Sequence, residues 1–442
     1  MEYDEVLDNL NGDEIQAEID FIGKEPLTIK TTNAQDIYNQ YQMFPKILVF
    51  DLRSRKLYKN SHLKCSVNFP VDVVKDTDFI NFNPERITKN YIDLEADKAA
   101  FKSRKRAMCF IVAHQTCTSR IFPHLADLFD NSKFGELREK FSAQDILATR
   151  NAVLLYMALK KEKTREVYIC RNSFKVIQGK YPFMCRFEGS SLYLNPKRTN
   201  GYPSEIMDRR LYLGDKTHCQ NETIIHNLGI THILNISDCI PNKFEDSKSL
   251  KLTYTKVNIE DNVDEPIHHS FNLAYNFMEK AICPKKTAKN RVYPVKFDVM
   301  QQFSDKKKQS ATQVYSAAKT NNIVLDLENK SVSDVSDAMK DNIYDIDMFC
   351  EKQMRNSHNQ NRVLVHCAMG RSRSATMVIM YLMQKFKLSK QMAFDIAYTR
   401  REVVDPNDGF LQKLTDFETK LNEKSFQNQV EAMINPEKVE KN

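Results

Sequence analysis

The chain contains no tryptophan, and only 10 of its 442 residues are glycine. Its apolar residues are dispersed, so that no run approaches the ~18 consecutive apolar residues of a membrane-spanning helix. The opening segment, residues 1–19, is acidic and polar, unlike a secretory signal peptide. We therefore expect no membrane span and no signal peptide. Because glycines are so few, we expect each to occupy a backbone position that needs one.

The ten cysteines are scattered, without the Cys-x-x-Cys pairs or Cys/His clusters of a zinc site or a disulfide framework. We therefore predict neither a metal nor a cofactor. The net charge of +7 is modest, and no stripe of basic and aromatic residues accompanies it. This composition gives no support for binding to nucleic acid. The length favours two domains.

One segment, 363–376, reads VLVHCAMGRSRSAT and carries the strongest chemical signal. Its apolar start predicts a buried strand that ends at His366, and Cys367 follows directly. The apolar stretch from Ser374 to Phe386 predicts a helix just after the loop. The backbone N–H groups of such a loop, together with the positive end of the helix, form a binding site for an anion. A thiol there should have a pKa below the value of about 8.5 of a free cysteine.

The alternative is that Cys367 is an inert thiol at the end of a core strand, since free cysteine is often buried. The surrounding residues favour nucleophilic chemistry, because His366 precedes it, Gly370 follows three positions later and Arg373 six positions later. The segment resembles the signature His-Cys-x5-Arg of the cysteine-dependent protein phosphatases. The run GRSRSAT resembles the dual-specificity branch of that superfamily.

This resemblance implies a role for each residue of the loop. Cys367 would attack the phosphorus atom, and the planar guanidinium of Arg373 would bind the phosphate through two hydrogen bonds. His366 would help to form the thiolate, and the hydroxyl of Ser374 would assist the thiolate as it leaves in the second step. The phosphate oxygens would bind the backbone of Ala368, Met369, Gly370, Arg371, Ser372 and Arg373.

The region 204–425 predicts an α/β domain around this loop. Strands are predicted over 210–214, 231–236 and 252–259, and helices over 220–228, 268–282, a segment capped by Ser389 that ends with Arg400 and Arg401, and a last segment ending near Asn422. The order resembles a dual-specificity phosphatase domain, from LYLG through GITHILNIS to the turn PNDGF. Asn407 and Gly409 of this turn are interpreted as structural support for the loop. Residues 426–442 are predicted to form a polar tail.

Phosphoryl transfer from an oxygen leaving group also requires a general acid. The segment VNIEDNVDE, 257–265, follows a predicted strand, and Asp261 occupies the position of the catalytic Asp of the family. Asp264 is an alternative acid. A third interpretation is that these carboxylates only form a solvated loop.

Asp261 stands 106 residues before Cys367, because the segment 283–361 separates the two. The first half of this segment is basic and the second half is acidic, with a weak helical pattern from Ile343 to Met354. Its polar composition predicts a mobile insertion, and a long surface loop has only a small entropic cost.

Residues 20–190 show a second alternation of strands and helices, which predicts a parallel sheet. The segments DLRS, YKNSHL, VNFP and FKVIQGKYPF resemble a rhodanese-like domain. Such a domain precedes the phosphatase domain in mitogen-activated-protein-kinase phosphatases and in the rhodanese-containing serine/threonine/tyrosine-interacting-like proteins. Gln115 occupies the position of the sulfur-carrying Cys of active rhodaneses, and Cys117 lies two residues later. We therefore predict a non-catalytic binding domain, followed by a linker over 191–203.

In the kinase phosphatases, a basic cluster in this domain binds the kinase. The matching region here, VDVVKDTDFINF, has no such cluster. Lys102, Arg104, Lys105 and Arg106 form one later in the sequence, where it could equally be a solvated turn. A docked protein kinase is thus one predicted partner, besides a phosphoprotein substrate.

Three functions are consistent with the sequence. The first is a protein phosphatase for phosphotyrosine and phosphoserine/threonine, in the cytoplasm or the nucleus, where reducing conditions preserve a thiol. The second is a phosphoinositide or phospholipid phosphatase of the same fold, for which the extra charge of Arg371 beside the loop would be suited. The third is a catalytically silent adaptor that binds phosphoproteins. The presence of both Cys367 and Arg373 argues against the adaptor.

Overall fold

The computed structural model describes residues 29–43, 47–70, 79–92, 95–116, 119–124, 127–129, 133–187, 201–283, 346, 349–350 and 360–434. The chain divides into two compact units, Met1–Thr199 and Asn200–Asn442. Within the described ranges, no helix is both long and apolar enough to cross a lipid bilayer.

The N-terminal unit contains a five-stranded parallel sheet with the strand order β1-β6-β5-β2-β4. Its strands are β1 (Thr31–Thr32), β2 (Ile47–Asp51), β4 (Ser66–Asn68), β5 (Met108–Val112) and β6 (Glu166–Cys170), while β3 (Ser61–Leu63) pairs with β7 (Cys185–Phe187) in a separate antiparallel ladder. Its helices are α1 (Ala34–Met43), α2 (Arg55–Asn60), α3 (Pro84–Tyr91), α4 (Glu95–Lys102), α5 (Phe134–Lys140), α6 (Ala143–Lys161) and α7 (Phe174–Lys180). The predicted parallel sheet is confirmed.

The central strands of this sheet are almost wholly apolar, as expected for strands that are covered on both faces. In β2, β5 and β6 the last four residues of each strand are buried. The side chains of Phe50, Phe69 and Phe101 meet in the core, with ring centroids 5.3 to 6.2 Å apart. This aromatic contact fills the space between the sheet and α4 without tryptophan.

The C-terminal unit contains a second five-stranded sheet with the order β11-β10-β12-β9-β8. Its strands are β8 (Ser204–Met207), β9 (Leu211–Gly214), β10 (His232–Ile236), β11 (Thr253–Val257) and β12 (Val363–His366). All pairs are parallel except β8 with β9. Its helices are α8 (Lys216–Cys219), α9 (Glu222–Leu228), α10 (Phe271–Ile282), α11 (Arg373–Phe386), α12 (Lys390–Arg400) and α13 (Asp408–Ile434). The predicted α/β class is confirmed.

Local signals place several of these helices. The Ser389 side chain accepts a hydrogen bond from the Met392 N–H and so caps α12 as predicted. Gly229 ends α9 with a φ of 60°, a conformation that favours glycine. The last helix extends well beyond the predicted end near Asn422 and into the predicted tail, because no residue that interrupts a helix follows until Pro436.

The end of the 283–361 segment is not a surface insertion. Ile346 and Cys350 are helical and are buried in the core of the C-terminal unit, and the Phe349 ring meets the Phe386 ring edge-on at 5.4 Å. Ile346 and Cys350 are four residues apart, the spacing that places two side chains on one helix face. The prediction of a wholly mobile insertion is therefore wrong for these positions. The rest of the segment from 284 to 359 lies outside the described residues.

Candidate active site

The carboxyl ends of the parallel strands bring the predicted catalytic residues together. Strand β12 is the central strand of its sheet, and Cys367 follows its last residue, His366. Its neighbour β10 leads into the loop that carries Asp238, and β11, the edge strand beyond β10, leads into the loop that carries Asp261. Ligands of open parallel sheets bind at this edge, outside the carboxyl ends of the strands.

Hydrogen bonds surround the sulfur of Cys367, which is only 1% exposed. The Ser374 hydroxyl and the Gly370 N–H each donate to Sγ at 3.2 Å. Burial by itself raises the pKa of this thiol, but the hydrogen bonds from Ser374, Met369 and Gly370 outweigh it, and the pKa lies below its ordinary value. In contrast, burial raises the pKa of the Cys109 and Cys170 thiols to about 12. The environment of Cys367 therefore favours a thiolate.

The loop after Cys367 has a backbone shape that depends on glycine. Gly370 has a φ of +67°, and a Cβ atom there would lie 2.5 Å from the carbonyl oxygen of Gly214. On the outer side of the loop, Arg401 donates from Nε to the Gly370 carbonyl at 2.9 Å and from Nη2 to the Met369 carbonyl at 3.4 Å. With its carbonyls held on this side, the loop can direct N–H groups toward the sulfur and a bound anion.

Arg373 begins α11 and is fixed on one side of its guanidinium. Its Nη1 donates to the Ile259 carbonyl at 2.9 Å and to Asp238 Oδ1 at 3.4 Å. Its Nε is buried without a hydrogen-bond partner among the described residues. A buried donor without a partner is costly, so Nε is suited to bind an oxygen of an incoming phosphate.

Asp261 lies beside this arginine. Its Oδ1 accepts hydrogen bonds from the Ser372 hydroxyl at 2.7 Å and from Asn407 Nδ2 at 3.0 Å, and its Oδ2 lies 3.7 Å from Arg373 Nε. The alternative acid, Asp264, is exposed and makes no such contact with the loop. The geometry thus favours Asp261 over Asp264 as the carboxyl group nearest a bound phosphate.

The PNDGF turn supports the acid loop as well as the phosphate loop. Asn407 donates to Asp261, and its backbone N–H donates to the Ser372 hydroxyl at 3.3 Å. A Cβ atom on Gly409 would lie 1.8 Å from the carbonyl oxygen of Val263, so that only glycine permits this contact. Two residues of the turn therefore fix the loop that carries Asp261.

His366 is buried beside the nucleophile. It is 1% exposed, burial lowers its pKa to about 4, and its Nδ1 has no hydrogen-bond partner within the described part of the chain. At neutral pH the ring is therefore uncharged, and the role of His366 in forming the thiolate stays a prediction. Hydrogen bonds from Ser374 and Gly370 to the sulfur stabilise a thiolate whatever the histidine contributes.

The remaining loop residues face solvent or the loop itself. Arg371 is exposed and pairs through Nη2 with Asp405 Oδ2 at 2.9 Å, and the Met369 side chain is 62% exposed. Ala368 accepts a hydrogen bond from the Lys216 N–H through its carbonyl. The charge of Arg371 is thus partly balanced by the Asp405 carboxylate.

Sequence reasoning missed two residues of the site, Asp238 and Arg401. Asp238 follows β10 by two positions, and the rule that parallel strands end at one edge could have selected it once β10 and β12 were taken as neighbours. Arg401 was assigned to the end of a helix, where a cation is favourable. No local signal indicates that its side chain instead binds two loop carbonyls that lie 31 and 32 residues earlier in the chain.

In the N-terminal unit, Gln115 lies three residues after the end of β5 and accepts a hydrogen bond from Arg53 Nη1 at 2.6 Å. Arg53 is buried, pairs with Asp51 at 2.6 Å, and packs over the Phe174 ring. This position therefore holds an amide in a hydrogen-bond network, where an active rhodanese carries its thiol. Cys117 lies outside the described residues.

Comparison with known proteins agrees with this geometry. Residues 293–420 match the family described as "Dual specificity phosphatase, catalytic domain". A Dictyostelium discoideum protein named "Probable rhodanese domain-containing dual specificity protein phosphatase" is 24% identical over 408 residues, 88% of this chain and 69% of that protein. Human dual specificity protein phosphatase 6 is 22% identical over 418 residues, 85% of this chain and 83% of that protein. Human dual specificity protein phosphatase 4 is 27% identical over 233 residues, and the alignment spans only 39% of its length.

The strand–loop–helix motif around Cys367 and these matches define a cysteine-dependent protein phosphatase, whose substrates are phosphoproteins. Within that class, residues 293–420 match the catalytic domain of the dual specificity phosphatases, and over most of its length the chain is similar to a rhodanese domain-containing protein of that kind. The alternatives drawn from the sequence, a lipid phosphatase and a silent adaptor, are not favoured.

Proposed function

We propose that the chain hydrolyses phosphotyrosine and phosphoserine/threonine esters of proteins in two steps at Cys367. The observation that carries the proposal is the pair of hydrogen bonds from Ser374 and Gly370 to a sulfur whose pKa is lowered although it is buried. Such a thiolate, at the start of a helix, is both nucleophilic and placed at an anion site.

In the first step, the Cys367 thiolate attacks phosphorus, and the bond from phosphorus to the ester oxygen breaks. Asp261 donates the proton of its carboxyl group to that leaving oxygen, which departs as a neutral hydroxyl. The N–H groups of the loop and Arg373 Nε stabilise the charge on the three phosphate oxygens in the transition state. The product is a phosphocysteine.

In the second step, water attacks the phosphocysteine. The Asp261 carboxylate accepts a proton from the water, the sulfur–phosphorus bond breaks, and inorganic phosphate is released. The Ser374 hydroxyl donates its hydrogen bond to the sulfur as negative charge returns to it, which makes the thiolate a better leaving group. Asp261 is then protonated again and Cys367 is again a thiolate, as at the start of the first step.

The test compares wild type with Cys367→Ser and Asp261→Asn on phosphotyrosine, phosphoserine and phosphothreonine peptides under reducing conditions. We expect Cys367→Ser to bind peptides without turnover. Loss of the acid should lower kcat on alkyl phosphates by roughly 10²- to 10⁴-fold, and less on an activated aryl phosphate. The matched control Asp264→Asn should retain wild-type rates. Equal losses in the two Asp variants would contradict the assignment, and faster turnover of phosphoinositides would contradict the protein substrate.

We propose further that the rhodanese-like unit recruits a phosphoprotein substrate, and that a protein kinase is one such substrate. Of the basic cluster, Arg104 is buried and paired with Glu162 at 2.7 Å, whereas Lys102, Lys105 and Arg106 are exposed. Kinase docking therefore depends on the three exposed residues. Lys105→Glu/Arg106→Glu should weaken capture of a mitogen-activated protein kinase by the full chain, while Lys89→Glu, on another exposed helix, should not. Equal capture by all three proteins would refute the docking site.

We also propose that the protein acts in the cytoplasm or the nucleus, because a thiolate nucleophile requires a reducing compartment. Fluorescence microscopy and fractionation of a tagged full-length chain test this placement. Enrichment in a secretory compartment would contradict it.

A further inference from the structure

A small cavity of about 190 Å³ lies between α13 and the segment that follows the acid loop. The rings of Phe271 and Phe417 meet edge-on in its wall with centroids 5.1 Å apart, and Lys413, Lys420 and His268 also line it. The cavity therefore combines an apolar wall with basic groups at its edge.

The basic groups have unused binding capacity. Neither Lys413 nor Lys420 forms an ion pair with any described residue, although Asp416 lies between them on the same helix. Asp416 accepts a hydrogen bond from Gln412 Nε2 at 2.9 Å. His268 Nδ1 is buried and has no hydrogen-bond partner in the described part of the chain. Two lysines against one carboxylate, with the unpartnered Nδ1 of His268 beside them, make the cavity suited to an anion.

The PNDGF turn connects the helix that lines the cavity with the acid loop. Gly409 contacts the Val263 carbonyl on the acid loop, and Lys413 and Lys420 lie about 6 and 16 Å further along α13 at 1.5 Å per residue. An extended peptide covers about 3.3 Å per residue. A substrate chain that runs from Asp261 past Val263 needs about two residues to reach Gly409. It then needs about two more to reach Lys413, or about five more to reach Lys420, which makes about four to seven residues in all.

We propose that this cavity binds an acidic segment of the phosphoprotein substrate, about four to seven residues from the phosphorylated residue, with an apolar side chain against Phe271 and Phe417. The proposal rests on the proposed function and adds a substrate class to it. A protein segment fits better than a membrane, because lipid recognition uses clusters of about 4–8 basic residues on an accessible surface, whereas this concave site has two lysines around a carboxylate.

The binding test uses the full chain with Cys367→Ser, so that no turnover occurs, and fluorescence anisotropy of labelled phosphopeptides. The peptides carry either Glu residues and one Phe, or Gln residues and one Phe, four to seven positions on either side of the phosphorylated residue. The double variant Lys413→Gln/Lys420→Gln should lose roughly three- to tenfold in affinity for the acidic peptide at low salt, and little for the neutral one. The control Lys248→Gln, at an exposed loop lysine, should bind both peptides as wild type does. The difference should shrink at high salt.

Turnover separates this proposal from the function on which it rests. With Cys367 intact, the double variant should hydrolyse a small aryl phosphate at the wild-type rate and should lose kcat/KM only on the acidic phosphopeptide. Equal affinities of the double variant and wild type for the acidic peptide would overturn the proposal. The proposal would also be overturned if the double variant lost binding to phosphatidylcholine vesicles that contain phosphatidylserine while its peptide binding was unchanged. That result would assign the cavity to a membrane. If wild type fails on the aryl phosphate, the phosphatase function fails, while the anisotropy result still decides the cavity.

Discussion

Removal of one hydroxyl at Ser374 tests how the nucleophile is kept ionised. Ser374 Oγ donates to Cys367 Sγ at 3.2 Å, and both residues are buried. His366, the neighbour that would otherwise supply positive charge, is neutral because burial lowers its pKa to about 4. If hydrogen bonds hold the thiolate, then Ser374→Ala should raise the pKa of Cys367 because one donor to the charged sulfur is lost.

The size of the effect follows from the kind of bond. A hydrogen bond to a charged group contributes about 1.5–3 kcal/mol, and 1.36 kcal/mol corresponds to a tenfold change in a protonation equilibrium. Solvent does not weaken this hydrogen bond, because the sulfur is only 1% exposed. At a pH below the wild-type pKa of Cys367, the thiolate fraction and the rate of alkylation in Ser374→Ala should therefore be roughly 10- to 100-fold lower than in wild type.

The assay is alkylation of the full chain by iodoacetamide over a range of pH, followed by mass spectrometry of the peptide that contains Cys367. Ser389→Ala is the control, since it removes a serine from the cap of α12 without touching the sulfur. Rapid-quench kinetics should also show phosphocysteine accumulating in Ser374→Ala, because the thiolate leaves more slowly. An unchanged alkylation profile in Ser374→Ala, with a shifted one in His366→Asn, would refute the reasoning and restore a direct electrostatic role for the histidine.

Three further predictions follow from the contacts of the site. Arg401→Lys should lower kcat roughly 10- to 100-fold with little change in KM, because a single ammonium cannot hold both loop carbonyls; unchanged steady-state kinetics would contradict this. Gly409→Ala should slow phosphopeptide turnover more than activated aryl phosphate turnover, because the new methyl group displaces the acid loop; equal slowing on both substrates would argue against it. Burial lowers the pKa of both His218 and His366 to about 4, so the unfolded chain binds protons between pH 6.5 and 4 that the folded chain does not. The free energy of unfolding, measured in urea, should therefore fall as pH falls through this range, by at most about 3 kcal/mol for each histidine. His366→Asn should flatten that dependence, and an unchanged slope would contradict the assignment.

Local sequence patterns were sufficient for the features whose physical cause is local. The apolar run before Cys367 predicted β12, the loop after it predicted an anion site, and Ser389 predicted the start of α12. Each of these depends on a few consecutive residues and on backbone geometry that those residues determine.

Features that depend on tertiary packing were not predictable in this way. The charge state of His366 is set by burial from every side, which no window of sequence reveals. The roles of Asp238 and Arg401 depend on which strands and loops become neighbours. Ile346 and Cys350 lie within the weak helical pattern from Ile343 to Met354, but a short pattern inside a long polar segment does not indicate a core contact.

The position of β12 at the centre of its sheet also determines how the active site must assemble. Arg362, just before this strand, bonds to Thr231 at the start of β10, a partner 131 residues earlier in the chain. Doubling the length of such a closed loop costs only about 0.6 kcal/mol of stability. The same separation slows folding, because long-range contacts must form before they stabilise the structure. The strand that delivers the nucleophile is thus the last of the sheet to leave the ribosome, and the catalytic thiol can enter its buried site only after the other four strands and the long segment before β12 have been synthesised.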